Sequence, residues 1–272
     1  MKISLLGASG RMGRELMARV AAAGDLELAG ALAAPDDAWI GQDAGLAANL
    51  PAAGVKVTAS PAESVAGADV AVDFSSAAVT AEIASACAEA GCALVEGVTG
   101  IGEAGQAALE QAAGRIAVLQ ASNMSLGVYV LNELLKVAAG QLGEDYDLEI
   151  VETHHRGKAD APSGTALQLG RTAAAARGRE FSEVAVFQRH GQTGEREKGS
   201  IGFSAVRGGG YSGNHSVLLA GNEEVLELRH QSLSRGVFAA GALRAARWLA
   251  GRPPGLYDLS SVMESSTTAT SG

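Results

Sequence analysis

The sequence predicts an α/β protein of two domains, in which a doubly wound parallel sheet is followed by an α+β domain on a mixed or open sheet. Three observations support this fold class. Strands and helices alternate over the first half of the chain, a glycine-rich turn follows the first strand, and the pattern changes after Asn123. A chain of 272 residues is also too long for one small core and suits two domains.

The first half alternates between short apolar strands and helices. The first helix carries Met12, Leu16 and Val20 on one face. Alternation at this spacing implies right-handed crossovers and a parallel sheet covered on both faces. The predicted strands are Lys2–Leu6, Leu26–Leu32, Val55–Thr58, Ala68–Phe74, Ala93–Glu96 and Ile116–Leu119, and the predicted helices are Arg11–Ala23, Ala77–Ala90 and Gly102–Ala113.

In the second half, strands follow one another with little helix between them, which is typical of an α+β domain with a mixed or antiparallel sheet. The final segment, Glu264–Gly272, is rich in Ser, Thr and Gly and is predicted to be a disordered tail. The predicted helices are Leu126–Leu142, Ser163–Ala176 and Phe238–Ala250, and the predicted strands are Tyr146–Thr153, Ile201–Val206, His215–Ala220 and Val225–His230.

Composition and charge exclude several classes of function. A formal net charge of −9 without any Lys/Arg-rich run argues against nucleic-acid binding. No stretch approaches the roughly 18 apolar residues of a membrane span, and the apolar start Ile3–Leu6 is too short for a signal peptide. Cys87 and Cys92, the two cysteines, are expected to be buried thiols in a reducing compartment. We therefore expect a cytoplasmic protein.

The glycine turn Gly7–Gly13 lies between the first predicted strand and helix. Its spacing, G-x-x-G-x-x-G, is a variant of the dinucleotide fingerprint. Glycines allow a tight turn and close approach to a pyrophosphate, and the helix start supplies N–H groups. The alternative is a strand–helix turn without a ligand. We favour a Rossmann-like domain that binds a nicotinamide dinucleotide.

The sequence leaves the choice between NAD and NADP open. A residue at the end of the second strand usually bonds the ribose 2′-hydroxyl or meets a 2′-phosphate. Here that strand ends in Ala33-Ala34, which supplies neither an acidic nor a basic side chain. Asp36 and Asp37 are near enough in sequence to substitute, and Arg11 is placed to meet a 2′-phosphate.

Two further turns, Gly97–Gly100 and Ala121–Met124, follow predicted parallel strands. Ligands of open α/β sheets bind outside the carboxyl ends of the strands. Both turns are therefore expected to face the same crevice as the glycine turn, with the nicotinamide end of a cofactor running between them.

The segment Glu152–Thr165 is the densest cluster of chemically capable residues. His154 and His155 are suited to proton transfer near neutral pH, and Lys158 could supply a cationic acid. Pro162-Ser163 resembles a helix start with Ser163 as N-cap, so that the backbone at 164–165 would point at an anion. A substrate with carboxylate groups is expected. Zinc ligation by the two histidines and a solvated loop are the alternatives; Lys158 opposes a cation.

These motifs resemble 4-hydroxy-tetrahydrodipicolinate reductase, also called dihydrodipicolinate reductase, of the diaminopimelate route to lysine. The resemblance rests on the glycine turn, the turns at 97–100 and 121–125, and above all the stretch 152–166. It continues through Ile201-Gly202-Phe203, Arg207-Gly208-Gly209 and Ser234-Arg235 to about residue 263.

The resemblance implies a reaction and roles for individual residues. The reaction is hydride transfer from NADH or NADPH to a cyclic dicarboxylate with a conjugated C=N bond. His154 matches the proton donor/acceptor and Lys158 a proton donor, while His155, Gly164 and Thr165 match the substrate contacts. The implied cofactor contacts are Gly7, Ala8, Ser9, Gly10, Arg11, Met12, Gly97, Val98, Thr99, Ala121, Ser122, Asn123 and Met124.

The resemblance also implies an organisation. Residues 1–125, completed by 236–263, form the dinucleotide domain, and 126–235 form the substrate domain, through whose sheets a homotetramer assembles. The chain departs from the family pattern at Ala33-Ala34, where an acidic residue is usual, and at Val98, Met124 and Asn214. The rival interpretations are another two-domain dehydrogenase, of the aspartate or homoserine dehydrogenase type, and a non-catalytic nucleotide sensor; intact His154 and Lys158 argue against a sensor.

Overall fold

The computed structural model of the chain describes residues 1–268, with side chains for residues 1–264. The chain forms two compact units: Met1–Ser125 with Arg235–Gly272, and Leu126–Ser234. Every strand and helix predicted above is present, with its ends displaced by at most three residues. Among the described residues, the helices are all too short or too polar to cross a lipid bilayer.

The first unit is built on a seven-stranded sheet in the order β12-β6-β5-β4-β1-β2-β3. All of its pairings are parallel. The Rossmann-like fold class is therefore confirmed. The strands are β1 (Lys2–Leu6), β2 (Glu27–Leu32), β3 (Val57–Thr58), β4 (Val70–Asp73), β5 (Ala93–Glu96), β6 (Ala117–Gln120) and β12 (Gly255–Tyr257).

Helices cover both faces of this sheet, which explains why its central strands are largely apolar. On one face α4 packs against both α3 and α5, and these helices help to enclose Ile83, Leu94, Leu109 and Val118. On the other face α1 and α9 pack together, and α9 lies over β4, β5 and β6. These helices are α1 (Arg11–Ala22), α2 (Ala44–Ala47), α3 (Pro61–Val65), α4 (Thr80–Ala90), α5 (Glu103–Ala113), α9 (Gly236–Leu249) and α10 (Leu259–Thr268).

The first unit also bears on two further predictions, for the cysteines and for the C-terminal tail. Cys87 and Cys92 are buried and form no disulfide, in agreement with the expectation of two buried thiols. The tail was expected to be disordered from Glu264 onward, but α10 extends to Thr268, so that its first part is helical. Residues 269–272 lie outside the described residues.

The second unit is a five-stranded mixed sheet in the order β11-β10-β7-β9-β8. Helices α6 and α7 pack together, with α7 against β7 and β9 and α6 against β11. Their core includes Leu135, Leu148, Ile150, Leu169 and Val217. The elements are α6 (Leu126–Leu142), a 3-10 turn (Gly143–Asp145), β7 (Asp147–His154), α7 (Gly164–Ala176), α8 (Phe181–Val184), β8 (Ala185–Val186), β9 (Ile201–Arg207), β10 (Asn214–Ala220) and β11 (Val225–Gln231).

Candidate active site

The three predicted cofactor segments meet at one edge of the first sheet. Residues 7–12 follow β1, residues 97–99 follow β5, and residues 121–124 follow β6. Because these strands are parallel, their carboxyl ends lie on the same side. The fold therefore brings together the segments that the sequence places far apart.

The glycine turn packs tightly under the start of α1. The N–H groups of Gly7 and Ala8 both donate to the carbonyl of Leu32, at 3.0 and 2.8 Å. A Cβ atom on Gly13 would lie 2.3 Å from the carbonyl oxygen of Gly7, so only glycine lets the helix approach this closely. Gly10 is the N-cap and has no side chain to cap the first turn. The first-turn N–H groups thus fit a pyrophosphate.

Under the turn after β5 lies a pair of carboxyl groups, Asp73 and Glu96, which are register partners on β4 and β5. Both are completely buried. The N–H of Ser75 donates to Asp73 and that of Val98 donates to Glu96, each at 2.7 Å. The second oxygen of each carboxyl group is buried without a hydrogen-bond partner among the described residues. One proton shared by the pair would satisfy both of these oxygens and avoid two adjacent buried charges.

This pair gives a prediction for stability. Burial, and next the charge of Asp73, raise the pKa of Glu96 to about 8. The folded state therefore binds a proton that the unfolded state, with a glutamate pKa of about 4.3, has already released at neutral pH. We expect the free energy of unfolding to fall as pH rises from about 5 to 8, and Glu96→Gln to reduce this loss; a remainder comes from Asp73, whose pKa burial raises to about 6.

Urea unfolding of the wild type and Glu96→Gln across this pH range measures the effect as a difference, so that other titrating groups cancel. Gln keeps an oxygen for the Val98 N–H and adds an N–H that can donate to Asp73. Glu103→Gln, at the exposed start of α5, is the matched control. Parallel pH profiles for the wild type and Glu96→Gln would show that Glu96 is already ionised in the folded protein.

In the second unit, the residues predicted for proton transfer and anion binding are linked through Glu152, a buried residue in β7. Its carboxylate accepts hydrogen bonds from both Nη1 and Nη2 of Arg207, each at 2.7 Å. One oxygen also lies 2.6 Å from Nδ1 of His154, and the other accepts from the N–H of Ser163 at 3.0 Å. Glu152 therefore links the predicted proton-transfer residue to the predicted anion site.

The ionisation of Glu152 decides which tautomer His154 adopts. Burial raises the pKa of this carboxyl group, but the hydrogen bonds with His154 and Arg207 outweigh burial and lower the pKa to about 2. An ionised carboxylate only accepts, so Nδ1 of His154 is the donor and Nε2 is left for proton transfer. Gly213, whose φ of +130° favours glycine, adjoins this Nε2: a Cβ atom there would lie 3.0 Å from it.

The start of α7 is fixed by the same network. Ser163 is the N-cap, and its Oγ accepts from the N–H of Ala166 at 3.1 Å. The Oγ also lies 3.0 Å from Nε2 of the buried His215. Burial lowers the pKa of His215 to about 3, so this ring is neutral while it shares a hydrogen bond with the Ser163 hydroxyl. A Cβ atom on Gly164 would meet no described atom within 4 Å, which leaves room for a ligand.

Lys158 and His155 follow β7 in the connecting loop. The Nζ of Lys158 donates to both carboxylate oxygens of Asp160, at 2.8 and 2.9 Å, and its side chain is 21% exposed. The N–H of Lys158 donates to the carbonyl of His155. Over the described residues, no group of three or more His, Cys, Asp or Glu side chains is arranged to hold a metal ion.

Neither Glu152 nor Arg207 has a role that the sequence predicts. Glu152 was only the first residue of the cluster, and Arg207 carried part of the resemblance. Arg207 is the register partner of His154 on β9, a pairing between positions far apart in the chain. One feature of the sequence could have identified Glu152. Its charged side chain falls on the same face of the alternating strand as the buried residues Leu148 and Ile150.

Comparisons with known proteins agree over nearly all of the chain. The family profile described as dihydrodipicolinate reductase, N-terminus, matches residues 1–124, and the one described as dihydrodipicolinate reductase, C-terminus, matches residues 127–263. The 4-hydroxy-tetrahydrodipicolinate reductase of Thiobacillus denitrificans is 48% identical over 96% of this chain and 98% of its own length. That of Acinetobacter baumannii is 45% identical over 96% of each chain.

Among solved structures, the dipicolinate-bound dihydrodipicolinate reductase from Paenisporosarcina sp. TG-14 has the same fold. It superposes with a TM-score of 0.72 at 24% identity and covers 95% of this chain and 97% of its own. The parallel sheet and its glycine turn, together with the second unit's mixed sheet, define an oxidoreductase that uses NADH or NADPH. More narrowly, the chain belongs to the dihydrodipicolinate reductase family.

Proposed function

We propose that the chain reduces 4-hydroxy-tetrahydrodipicolinate to tetrahydrodipicolinate with NADH or NADPH, in the diaminopimelate route to lysine. Family membership over the whole chain supports this activity and favours it over an aspartate or homoserine dehydrogenase. The single observation that supports this activity at the site is the hydrogen-bond network of Glu152. It joins His154, the predicted proton-transfer residue, to the start of α7, the predicted anion site.

In this proposal the first unit, residues 1–125 with 236–263, is the dinucleotide domain, and residues 126–235 bind the substrate. The first-turn N–H groups of α1 hold the pyrophosphate, and the turns 97–99 and 121–124 contact the rest of the cofactor. The nicotinamide supplies a hydride when bound.

The remaining chemistry belongs to the second unit. His155 and the backbone at Gly164 and Thr165 bind the substrate carboxylates, since a helix start favours an anion. Hydride addition to the C=N system leaves negative charge on the substrate, which the Lys158 ammonium stabilises. A proton from Lys158 or from His154 then completes the reduction.

The test follows the absorbance of NADH and of NADPH in the presence of freshly generated 4-hydroxy-tetrahydrodipicolinate. Oxidation that depends on this substrate supports the proposal. If neither cofactor is oxidised by an enzyme that still binds nucleotide, the proposal is wrong.

The family resemblance extends the proposal to a cytoplasmic homotetramer assembled through the sheets of the second unit. In β11, Val225 and Leu226 are 59% and 40% exposed, which supports a partner at this strand. We expect light scattering after size exclusion to give four times the 27.4 kDa chain mass. Val225→Lys should lower this mass, and a monomeric wild type would contradict the assembly.

A further inference from the structure

At the ribose end of the cofactor site, the chain departs from the pattern that the family resemblance implies. Beyond β2, Ala33 and Ala34 offer a ribose no side-chain donor or acceptor. The chain then turns, and the N–H of Asp37 donates to the carbonyl of Ala34 at 2.9 Å. This turn brings the carboxylate of Asp37 back to the glycine turn, although Asp37 lies beyond the end of β2.

Asp37 is held on both of its oxygens. The hydroxyl of Ser9, in the glycine turn, donates to Oδ2 at 2.5 Å, and the N–H of Trp39 donates to Oδ1 at 2.8 Å. Trp39 is itself buried, 8% exposed, so this second contact is anchored in the fold. A carboxylate has about four lone-pair positions, so each oxygen keeps one for a ligand.

Asp37 is also charged. The hydrogen bond from Ser9, and next that from Trp39, lower its pKa. Its carboxylate is therefore a fixed anion beside the turn that receives the pyrophosphate. It can accept a hydrogen bond from a ribose 2′-hydroxyl, but it would repel a 2′-phosphate.

Arg14 is exposed and lies close enough to Asp37 for its charge to lower the pKa of this carboxyl group. Its Nε donates to the carbonyl of Ser9 at 3.0 Å, and its guanidinium lies over the Trp39 ring, 4.7 Å from the centroid. Arg14 therefore contacts Ser9 and Trp39, the same two residues that hold Asp37. Arg11, the first residue of α1, is exposed and stands as the competing site for a 2′-phosphate.

We infer that Asp37 binds the adenosine ribose in place of the acidic residue missing at Ala33-Ala34, and that it makes the enzyme prefer NADH to NADPH. The inference rests on the proposed function, because it assumes that the first unit binds a nicotinamide dinucleotide. It assigns to this chain a specificity-determining residue five positions beyond the end of β2 at Leu32.

Calorimetry with ADP-ribose and 2′-phospho-ADP-ribose tests this without substrate or turnover. We expect the wild type to bind ADP-ribose at least about tenfold more tightly than 2′-phospho-ADP-ribose. The difference arises because Asp37 accepts a hydrogen bond from the 2′-hydroxyl but repels the 2′-phosphate. Asp37→Asn keeps the shape and removes the charge, so it should bring the two affinities to within a few-fold of each other. The ratio of kcat/KM for NADH and NADPH should change in the same direction.

Asp36→Asn is the matched control, because Asp36 is the adjacent exposed carboxylate and should leave the ratio unchanged. If Asp37→Asn fails to fold, as judged by circular dichroism, Asp37→Ser repeats the test. A wild type that prefers the 2′-phosphorylated nucleotide, or an Asp37 variant with the wild-type ratio, overturns the inference. Failure to bind either nucleotide overturns it together with the cofactor site, whereas normal discrimination without reductase activity contradicts only the proposed function.

Discussion

We expect Lys158→Met to lower kcat by about 10²–10⁴-fold, the usual contribution of a positioned general acid, while leaving NADH affinity within about twofold. Lys158 carries the ammonium nearest to the two predicted proton-transfer histidines in sequence, and Asp160 holds it through both oxygens. Its charge matters most when negative charge develops on the substrate, so kcat should fall more than KM rises. Steady-state kinetics with NADH titrations measure both quantities.

Lys198→Met is the matched control, because Lys198 also forms an ion pair with an aspartate, Asp145, at 2.9 Å, but on the exposed surface. That variant should retain wild-type kinetics. A sharper test uses Lys158→Ala, whose truncated side chain leaves space for a small amine such as ethylamine. Recovery of turnover with added ethylamine supports a proton-donating role, and an equal loss in the Lys198 variant would argue that removing any paired lysine harms the enzyme.

The strands and helices could be predicted because each carries its own periodic signal. Helix α1 shows Leu16 and Val20 on its buried face, and β4 begins with the apolar run Val70-Ala71-Val72. The missed elements lack such a signal. Strand β12, Gly255–Tyr257, has only three residues, and it is a strand because Gly255 and Tyr257 pair with β6. Such an element depends on a tertiary contact rather than on local preference.

The same distinction applies to the candidate site. Residues of one motif, such as His154 and Lys158, can be predicted because their spacing is local. Asp37 could be named as a substitute from sequence, but its contact with Ser9 depends on the path of a loop. Arg207 reaches Glu152 because β9 lies in parallel register beside β7, and register between distant strands is not readable from one sequence.

The Glu152 network yields the second prediction of large effect. We expect Glu152→Gln to lower kcat at least about tenfold, because the carboxylate fixes the tautomer of His154. The Gln side-chain N–H would donate to Nδ1 of His154, so that the ring proton moves to Nε2. Nitrogen-15 NMR of His154 reports this exchange of tautomers, which a purely structural role of Glu152 would not produce.

The same substitution should also reduce stability. It leaves the charge of Arg207 without its bidentate partner; since the Arg207 side chain is 21% exposed, we expect a loss of about 2–4 kcal/mol, somewhat less than for a fully buried pair. The pKa of Glu152 is lowered to about 2 in the folded state, below its value of about 4.3 in the unfolded chain. Its stabilisation is therefore complete above about pH 5 and is lost as pH falls toward 2.

Urea unfolding at pH 7 and at pH 4 tests the sign of this effect, because the difference between wild type and Glu152→Gln should shrink at the lower pH. Glu149→Gln is the control: Glu149 lies on the same strand and pairs with Arg189 and Arg196, but three residues away and so on the opposite face. It should leave the His154 tautomer unchanged. An unchanged tautomer in Glu152→Gln would mean that His154 is oriented by other contacts, and the link between the proton-transfer residue and the anion site would not hold.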